Sequence, residues 1–153
     1  MGSSEITVGE LLYEAAVEFT EVIEYGVSLG GVLAGNTALP PAGARFDIHI
    51  RGSLRGPRLS GTVTGVDYLH MRADGRAQLH IHARIATEDG QAIAFFADGV
   101  ALPQEGTSVF QLRENVSVIT ASPGYDWLNQ LQGWGLGTVD PGTGEVKVKA
   151  YAA

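Results

Sequence analysis

Along most of the chain, apolar and polar residues alternate with a period of two, the pattern of strands with one buried and one solvated face. From Gln78 to Thr87, Leu79, Ile81, Ala83 and Ile85 interleave with His80, His82 and Arg84. From Arg45 to Arg51, Phe46, Ile48 and Ile50 oppose Asp47, His49 and Arg51. Further strand-like runs cover Arg58 to Thr64, Tyr68 to Arg72, Gln91 to Ala101, Ser108 to Thr120, Tyr125 to Leu136 and Glu145 to Tyr151. Turn signals punctuate them, among them Gly65, Asp74-Gly75, Asp89-Gly90, Asp98-Gly99 and Asp140-Pro141-Gly142. Asp-Gly suits a hairpin tip because both residues tolerate positive φ. Many short strands at regular spacing, without interleaved helices, predict an antiparallel sandwich or barrel.

Glu10 to Glu24 carries two patterns at once. Leu11, Ala15, Phe19 and Val22 fit a helical stripe, whereas Tyr13, Ala15, Val17 and Phe19 alternate with Glu14, Ala16, Glu18 and Thr20. A first strand that pairs with the last closes a barrel and removes exposed edges, which favours strand. Val27 to Gly43, with Gly30-Gly31, Gly35-Asn36 and Pro40-Pro41, is too long and irregular for a hairpin loop, and such segments often form lids. The expected fold is all-β: one antiparallel barrel over residues 1–153, of about eight to nine strands and lipocalin-like or calycin-like. A long loop or short helix follows the first strand, with 27–43 as a lid insertion.

Composition changes the picture in three ways. Glycine accounts for 21 of 153 residues, about twice the usual share of roughly 7%, and its spread between strand-like runs marks it as punctuation. The chain has no Cys, which excludes zinc fingers, iron–sulfur ligation and thiol catalysis. A net charge of -7 and a pI near 4.9 argue against nucleic-acid and anionic-membrane partners, because no basic stripe is present to attract them. Met1 to Glu10 has neither the charged start nor the apolar run of a secretory signal, and no stretch approaches the roughly 18 apolar residues of a membrane span. The expectation is a soluble, cytoplasmic protein.

The candidate chemistry lies in the polar phases of the strands. All four histidines belong there: His49 beside Asp47 and Arg51, His70 beside Tyr68 and Arg72, and His80 and His82 beside Arg84. Either these faces are the wet side of a barrel, or some of them line a pocket in which His titrates near neutrality while Asp and Arg position a substrate. His80-x-His82 also has a spacing that metal sites use, with His49 as a third ligand. Gly75 before it and Glu88 after it resemble a cupin pattern, although the intervals differ and no second cupin motif follows. No Gly-x-Ser-x-Gly elbow, dinucleotide fingerprint or phosphate-loop lysine occurs. Near the C-terminus, Tyr125, Trp127 and Asn129 would share one strand face, as core packing or as a stacking wall for a ligand.

Several motifs together resemble uncharacterised protein family 0311, also called domain of unknown function 3237. They are Gly56-Pro57-Arg58-Leu59, Gly61, Val63, Asp67-Tyr68, Arg72-x-Asp74-Gly75, Thr87-x-Asp89-Gly90 and Pro123-x-Tyr125-x-Trp127-Leu128-Asn129, with Gly135 and Gly137. The likeness spans roughly Leu11 to Tyr151 and implies a small antiparallel β-barrel. The chain departs from the family by inserting residues within Val27 to Pro41 and by carrying His80 and His82 where relatives tend to carry Asp and Arg.

The leading expectation is a cofactor-independent enzyme, a lyase, isomerase or hydrolase, acting on a small hydrophobic oxygenated molecule inside the barrel. His49, His80 and His82 are the candidate acid and base, with Asp67 as carboxylate partner, and Arg72 or Arg84 stabilises developing negative charge. Tyr68, Tyr125, Trp127 and Asn129 would seat the ligand. Asp67 alternates out of phase with His70 and Arg72, so the set can converge only across a bulge or a strand end. The alternatives are a non-catalytic small-molecule-binding barrel and, less favoured, a metal-dependent cupin-like enzyme using His80, His82 and His49. A homodimer is compatible with exposed edges and Trp134.

Overall fold

The computed structural model describes Glu5 and residues 7–153, so the N-terminal stretch read above for a secretory signal lies partly outside the described residues. Eight antiparallel strands close into one barrel in sequence order, each paired with its neighbours and β8 with β1. They are β1 (Leu11–Glu24), β2 (Ala44–Arg55), β3 (Ser60–Met71), β4 (Ala77–Thr87), β5 (Ala92–Pro103), β6 (Phe110–Ile119), β7 (Gly133–Asp140) and β8 (Glu145–Ala152). The ambiguous first segment is therefore a strand. Ala15 lies opposite Val148 on β8 and Leu54 on β2, so β1 seals the seam between the last strand and the second. Full closure leaves no unpaired sheet edge.

The alternation decides which side is inside. Phe46, Ile48, Ile50 and Leu54 from β2, Leu79, Ile81 and Ile85 from β4, and Ile93, Phe95 and Ala97 from β5 are buried in the core. Their polar neighbours therefore stand on the outer wall. No helix among the described residues is long and apolar enough to cross a membrane.

Three predicted boundaries are corrected. Asp98-Gly99 is not a turn but lies within β5, paired with both neighbouring strands. Gly65 does not turn the chain: Arg58 to Thr64 and Tyr68 to Arg72 are parts of one strand, β3. A Cβ at Gly65 would lie 2.3 Å from the carbonyl oxygen of His82, so this glycine permits close approach of β4 rather than a reversal. The run Tyr125 to Leu136 is likewise not one strand. Asp126–Gln130 forms a 3₁₀ turn and only the run from Gly133 onward joins the sheet.

The two ends of the barrel differ. At one end, α1 (Leu29–Leu33) lies in the predicted lid segment. A five-residue helix has little stability of its own; Ser28 caps it by accepting from the Gly31 N–H at 3.0 Å, and Glu24 Oε2 accepts from the Leu29 N–H at 2.7 Å. At the other end, the 3₁₀ turn buries Leu128, which is 1% exposed, and forms a floor.

Candidate active site

Two strands place a buried carboxylate in the phase that otherwise faces the core. On β3 the inward series is Val63, Gly65, Asp67, Leu69 and Met71, and on β6 it is Phe110, Leu112, Glu114, Val116 and Val118. Asp67 and Glu114 are buried at 9% and 8% exposure. Both line a cavity of about 80 Å³ at the α1 end of the barrel, several times the roughly 10–15 Å³ that holds one water. Among the described residues they are the only polar ones of its lining, which is otherwise apolar, with Phe19, Ile48, Leu79 and Phe110 in the walls and Leu29 and Leu33 of α1 over the mouth.

The wall is built to admit Glu114. Its register neighbours are Gly99 on β5 and Gly135 on β7. A Cβ at Gly135 would stand 3.2 Å from the Glu114 Cβ. Gly99 has φ +146°, and a Cβ there would lie 1.9 Å from the Arg113 carbonyl oxygen; only glycine fits. Asp67 is held differently. The β3–β4 ladder pairs Asp67 with Ile81 and resumes at His70 with Gln78, and in the gap the His80 backbone N–H donates to Asp67 Oδ1 at 3.0 Å.

Electrostatics separates the two carboxyls. Burial pushes Glu114 up to about 7, with the nearby Asp67 charge adding to the rise. Burial also raises Asp67 to about 6, against the opposing effects of the His80 N–H and the Arg45 guanidinium. Like charges in a shared apolar site cannot both ionise cheaply, so the pair holds about one proton near neutrality. Tyr13, inward on β1 and 3% exposed, faces Glu114; burial first and the Glu114 charge second raise its phenol well above the usual value. Among the described residues no fully sealed side-chain nitrogen or oxygen lacks a partner, and only burial and Asp67 act on the Glu114 carboxyl. The Glu114 carboxyl therefore opens onto the cavity without a hydrogen bond from a described residue.

Of the site residues expected from sequence, Asp67 alone lines this cavity. His80, His82 and Arg84 are exposed on the outer wall of β4, and His49 is half-buried on that of β2. The reason is the apolar phase of these strands, which takes the interior and turns the polar phase to solvent. His82 sits edge-on between Tyr68 and Phe96, at 5.9 and 5.2 Å between ring centroids. Tyr68 lies under the Arg45 guanidinium at 5.1 Å. Arg72 is exposed and pairs with Asp74 in the β3–β4 turn. Among the described residues, no group of three or more His, Asp or Glu is placed to hold a metal ion, so His49, His80 and His82 are not brought together.

Tyr125, Trp127 and Asn129 also lie away from the cavity, in and beside the floor. Asn129 accepts from the Thr120 N–H at 2.8 Å and donates to the Thr120 carbonyl at 2.7 Å. The Tyr125 hydroxyl donates to Asp89 at 2.9 Å. Arg58 stacks over the Trp127 ring at 3.6 Å while pairing with Glu10. The segment read as an aromatic wall is thus a bracket that ties the floor to the barrel. Sequence reasoning missed Glu114, although its signal was present: a carboxylate in the apolar phase of Leu112-x-Glu114-x-Val116.

Comparison with known proteins agrees with the fold. The model of a family described as protein of unknown function, DUF3237, matches residues 19–153. No curated protein matches the chain. Among solved structures, a beta-barrel-like protein from Acinetobacter baumannii is 23% identical with a TM-score of 0.75, covering 99% of this chain and 98% of its own. A protein of unknown function from Clostridium acetobutylicum is 21% identical with a TM-score of 0.77, covering 99% of each chain. A protein described as an enzyme from Penicillium herquei is 22% identical with a TM-score of 0.65, again covering 99% of each chain.

Proposed function

Taking as premise that the chain belongs to the DUF3237 family, we propose that it is an enzyme performing acid–base chemistry, of lyase or isomerase type, on a small hydrophobic oxygenated molecule held inside the barrel. The observation that carries this reading is the pair Asp67 and Glu114, the only polar groups in an apolar cavity. Both are raised into the neutral range, to about 6 and about 7. A general acid and a general base work best when their proton affinities lie near the operating pH, and perturbed carboxyls in a cleft are typical of functional sites.

The environments divide the roles. Asp67 has a hydrogen-bond donor and a nearby cation to support its charge, so it is the base that takes a proton from the bound molecule. Glu114 has neither and holds its proton to higher pH than Asp67, so it is the acid that delivers one to the substrate oxygen. Such an exchange moves a proton between carbon and oxygen or eliminates water, and the apolar walls keep solvent from competing. The histidines of the outer wall take no part in this assignment. A protein of the same fold is described as an enzyme, which is consistent with a reaction in such a barrel.

The test is a turnover screen over small hydroxy-carbonyl and enol-ether compounds with the wild-type protein, Asp67→Asn, Glu114→Gln and the double variant His80→Ala/His82→Ala. Turnover that falls at least about a hundredfold in either carboxyl variant, within the usual range for loss of general acid–base catalysis, and persists in the histidine variant supports the proposal. Turnover that depends on the histidines and survives both carboxyl changes refutes it. Stoichiometric binding without turnover of any bound compound would favour a binding barrel instead.

A further inference from the structure

We propose that this cavity selects a neutral molecule bearing both a hydroxyl and a carbonyl oxygen on an apolar frame, the hydroxyl donating to Asp67 and the carbonyl accepting from Glu114. The inference rests on the acid–base reading of the same cavity and adds the class of molecule it takes. Three observations lead to it.

First, no Lys, Arg or His lines the cavity. An anion would enter a low-dielectric space holding two carboxyls and no counter-charge, which is strongly unfavourable. Second, the groups that face the pair differ. Glu114 on β6 meets Asp67 from β3 and Tyr13 from β1 and is flanked by glycines on β5 and β7. None of these supports a negative charge on it. Asp67 receives the His80 N–H at 3.0 Å and feels Arg45 through the wall. The cavity therefore presents one acceptor, Asp67, and one donor, Glu114. Third, the Glu114 carboxyl lacks a partner within the protein and opens onto the cavity, so its hydrogen bond must come from whatever occupies that space. An ammonium group offers donors only and leaves the Glu114 proton unused. A lone ketone or a lone alcohol satisfies one carboxyl. A hydroxyketone satisfies both.

The experiment uses methyl-labelled full-length protein and follows the Leu69, Leu79 and Ile81 methyl resonances during titration with a matched set of probes at pH 6.5. The probes are diacetone alcohol, methyl isobutyl ketone, tert-amyl alcohol, β-hydroxyisovalerate as the anionic analogue and protonated tert-amylamine as the cationic one. We expect diacetone alcohol to bind about tenfold tighter than the ketone or the alcohol, the order of the cost of one unmet buried polar group. β-Hydroxyisovalerate should leave these methyls unshifted. Diacetone alcohol affinity should fall several-fold above pH 8, where Glu114 has lost its proton. In Glu114→Gln and Asp67→Asn the preference over the monofunctional probes should shrink, while the methyl spectrum reports that each variant is folded. Equal binding of diacetone alcohol and methyl isobutyl ketone, or tighter binding of the anion or the ammonium, overturns the assignment of ligand class and leaves the acid–base reading standing. If no probe moves these methyls, the acid–base reading of the cavity falls with it.

Discussion

The backbone N–H of His80 donates to Asp67 Oδ1 at 3.0 Å, so a residue whose side chain stands outside the barrel fixes a carboxyl inside it through the main chain. The His80 ring is not needed for that contact. His80→Ala should leave ligand binding and any turnover within about twofold of wild type. His82→Ala loses two edge-on aromatic contacts and should cost about 1 kcal/mol of stability with function intact. Urea unfolding together with a binding titration separates the two effects, and a large loss of binding in either variant would return the histidines to the site.

The raised carboxyls make stability depend on pH. The Glu114 value rises from 4.5 to about 7 on folding, so the folded state holds this proton more tightly than the unfolded chain. Its favourable contribution is complete below about pH 4.5 and is lost as pH climbs through about 7. At about 1.4 kcal/mol per unit, the loss by pH 8 is on the order of 3 kcal/mol. Asp67, raised to about 6, adds a loss of the same sign at slightly lower pH. Glu114→Gln removes the Glu114 part. The variant should match or trail wild type near pH 4.5 and exceed it by a few kcal/mol near pH 8, read from denaturant midpoints.

The floor bracket should be structural and separable from the cavity. Asn129→Ala removes two hydrogen bonds to the Thr120 backbone and should destabilise by about 1–3 kcal/mol. Probe binding at the α1 end should be unchanged in protein that remains folded. Weakened binding without a stability loss would contradict the placement of Tyr125, Trp127 and Asn129 away from the site.

How far the sequence could be read follows from what each residue's phase reveals. The barrel was legible because strand alternation and Asp-Gly tips are local signals, and the seam formed by β1 followed from the need to close the edges. The Gly65 boundary was not legible: a glycine that admits a neighbouring strand and one that turns the chain look alike in sequence. The histidines misdirected attention because titratable residues on a polar phase attract notice, whereas barrel burial sends that phase outward. The mismatch of Asp67 with His70 and Arg72 is the clue to its inward orientation. Glu114 carried the same clue on β6. That Asp67 and Glu114 share one cavity is a property of barrel closure, which brings strands three apart in the sheet into one lumen, and no local pattern encodes it.

The segment that carries α1 is tied to the barrel by a contact outside the cavity. The Tyr25 hydroxyl donates to Asp47, which also accepts from Arg45 Nε at 3.0 Å. Tyr25 itself is 55% exposed. Tyr25→Phe should speed amide exchange across 27–43 several-fold while changing global stability by no more than about 1 kcal/mol. Unchanged exchange in that segment would show that Leu29 packing alone holds α1 down.

The central claim is that the barrel interior holds a carboxyl pair sharing a proton near neutrality, and its most direct measurement is a side-chain carboxyl carbon NMR titration of the wild-type protein from pH 3 to pH 9. The account predicts that the Asp67 and Glu114 resonances titrate late, in coupled steps near pH 6 and pH 7. It also predicts that Asp67→Asn moves the remaining Glu114 step to lower pH by removing a neighbouring negative charge. Both carboxyls titrating near pH 4, with no coupling between them, would contradict it.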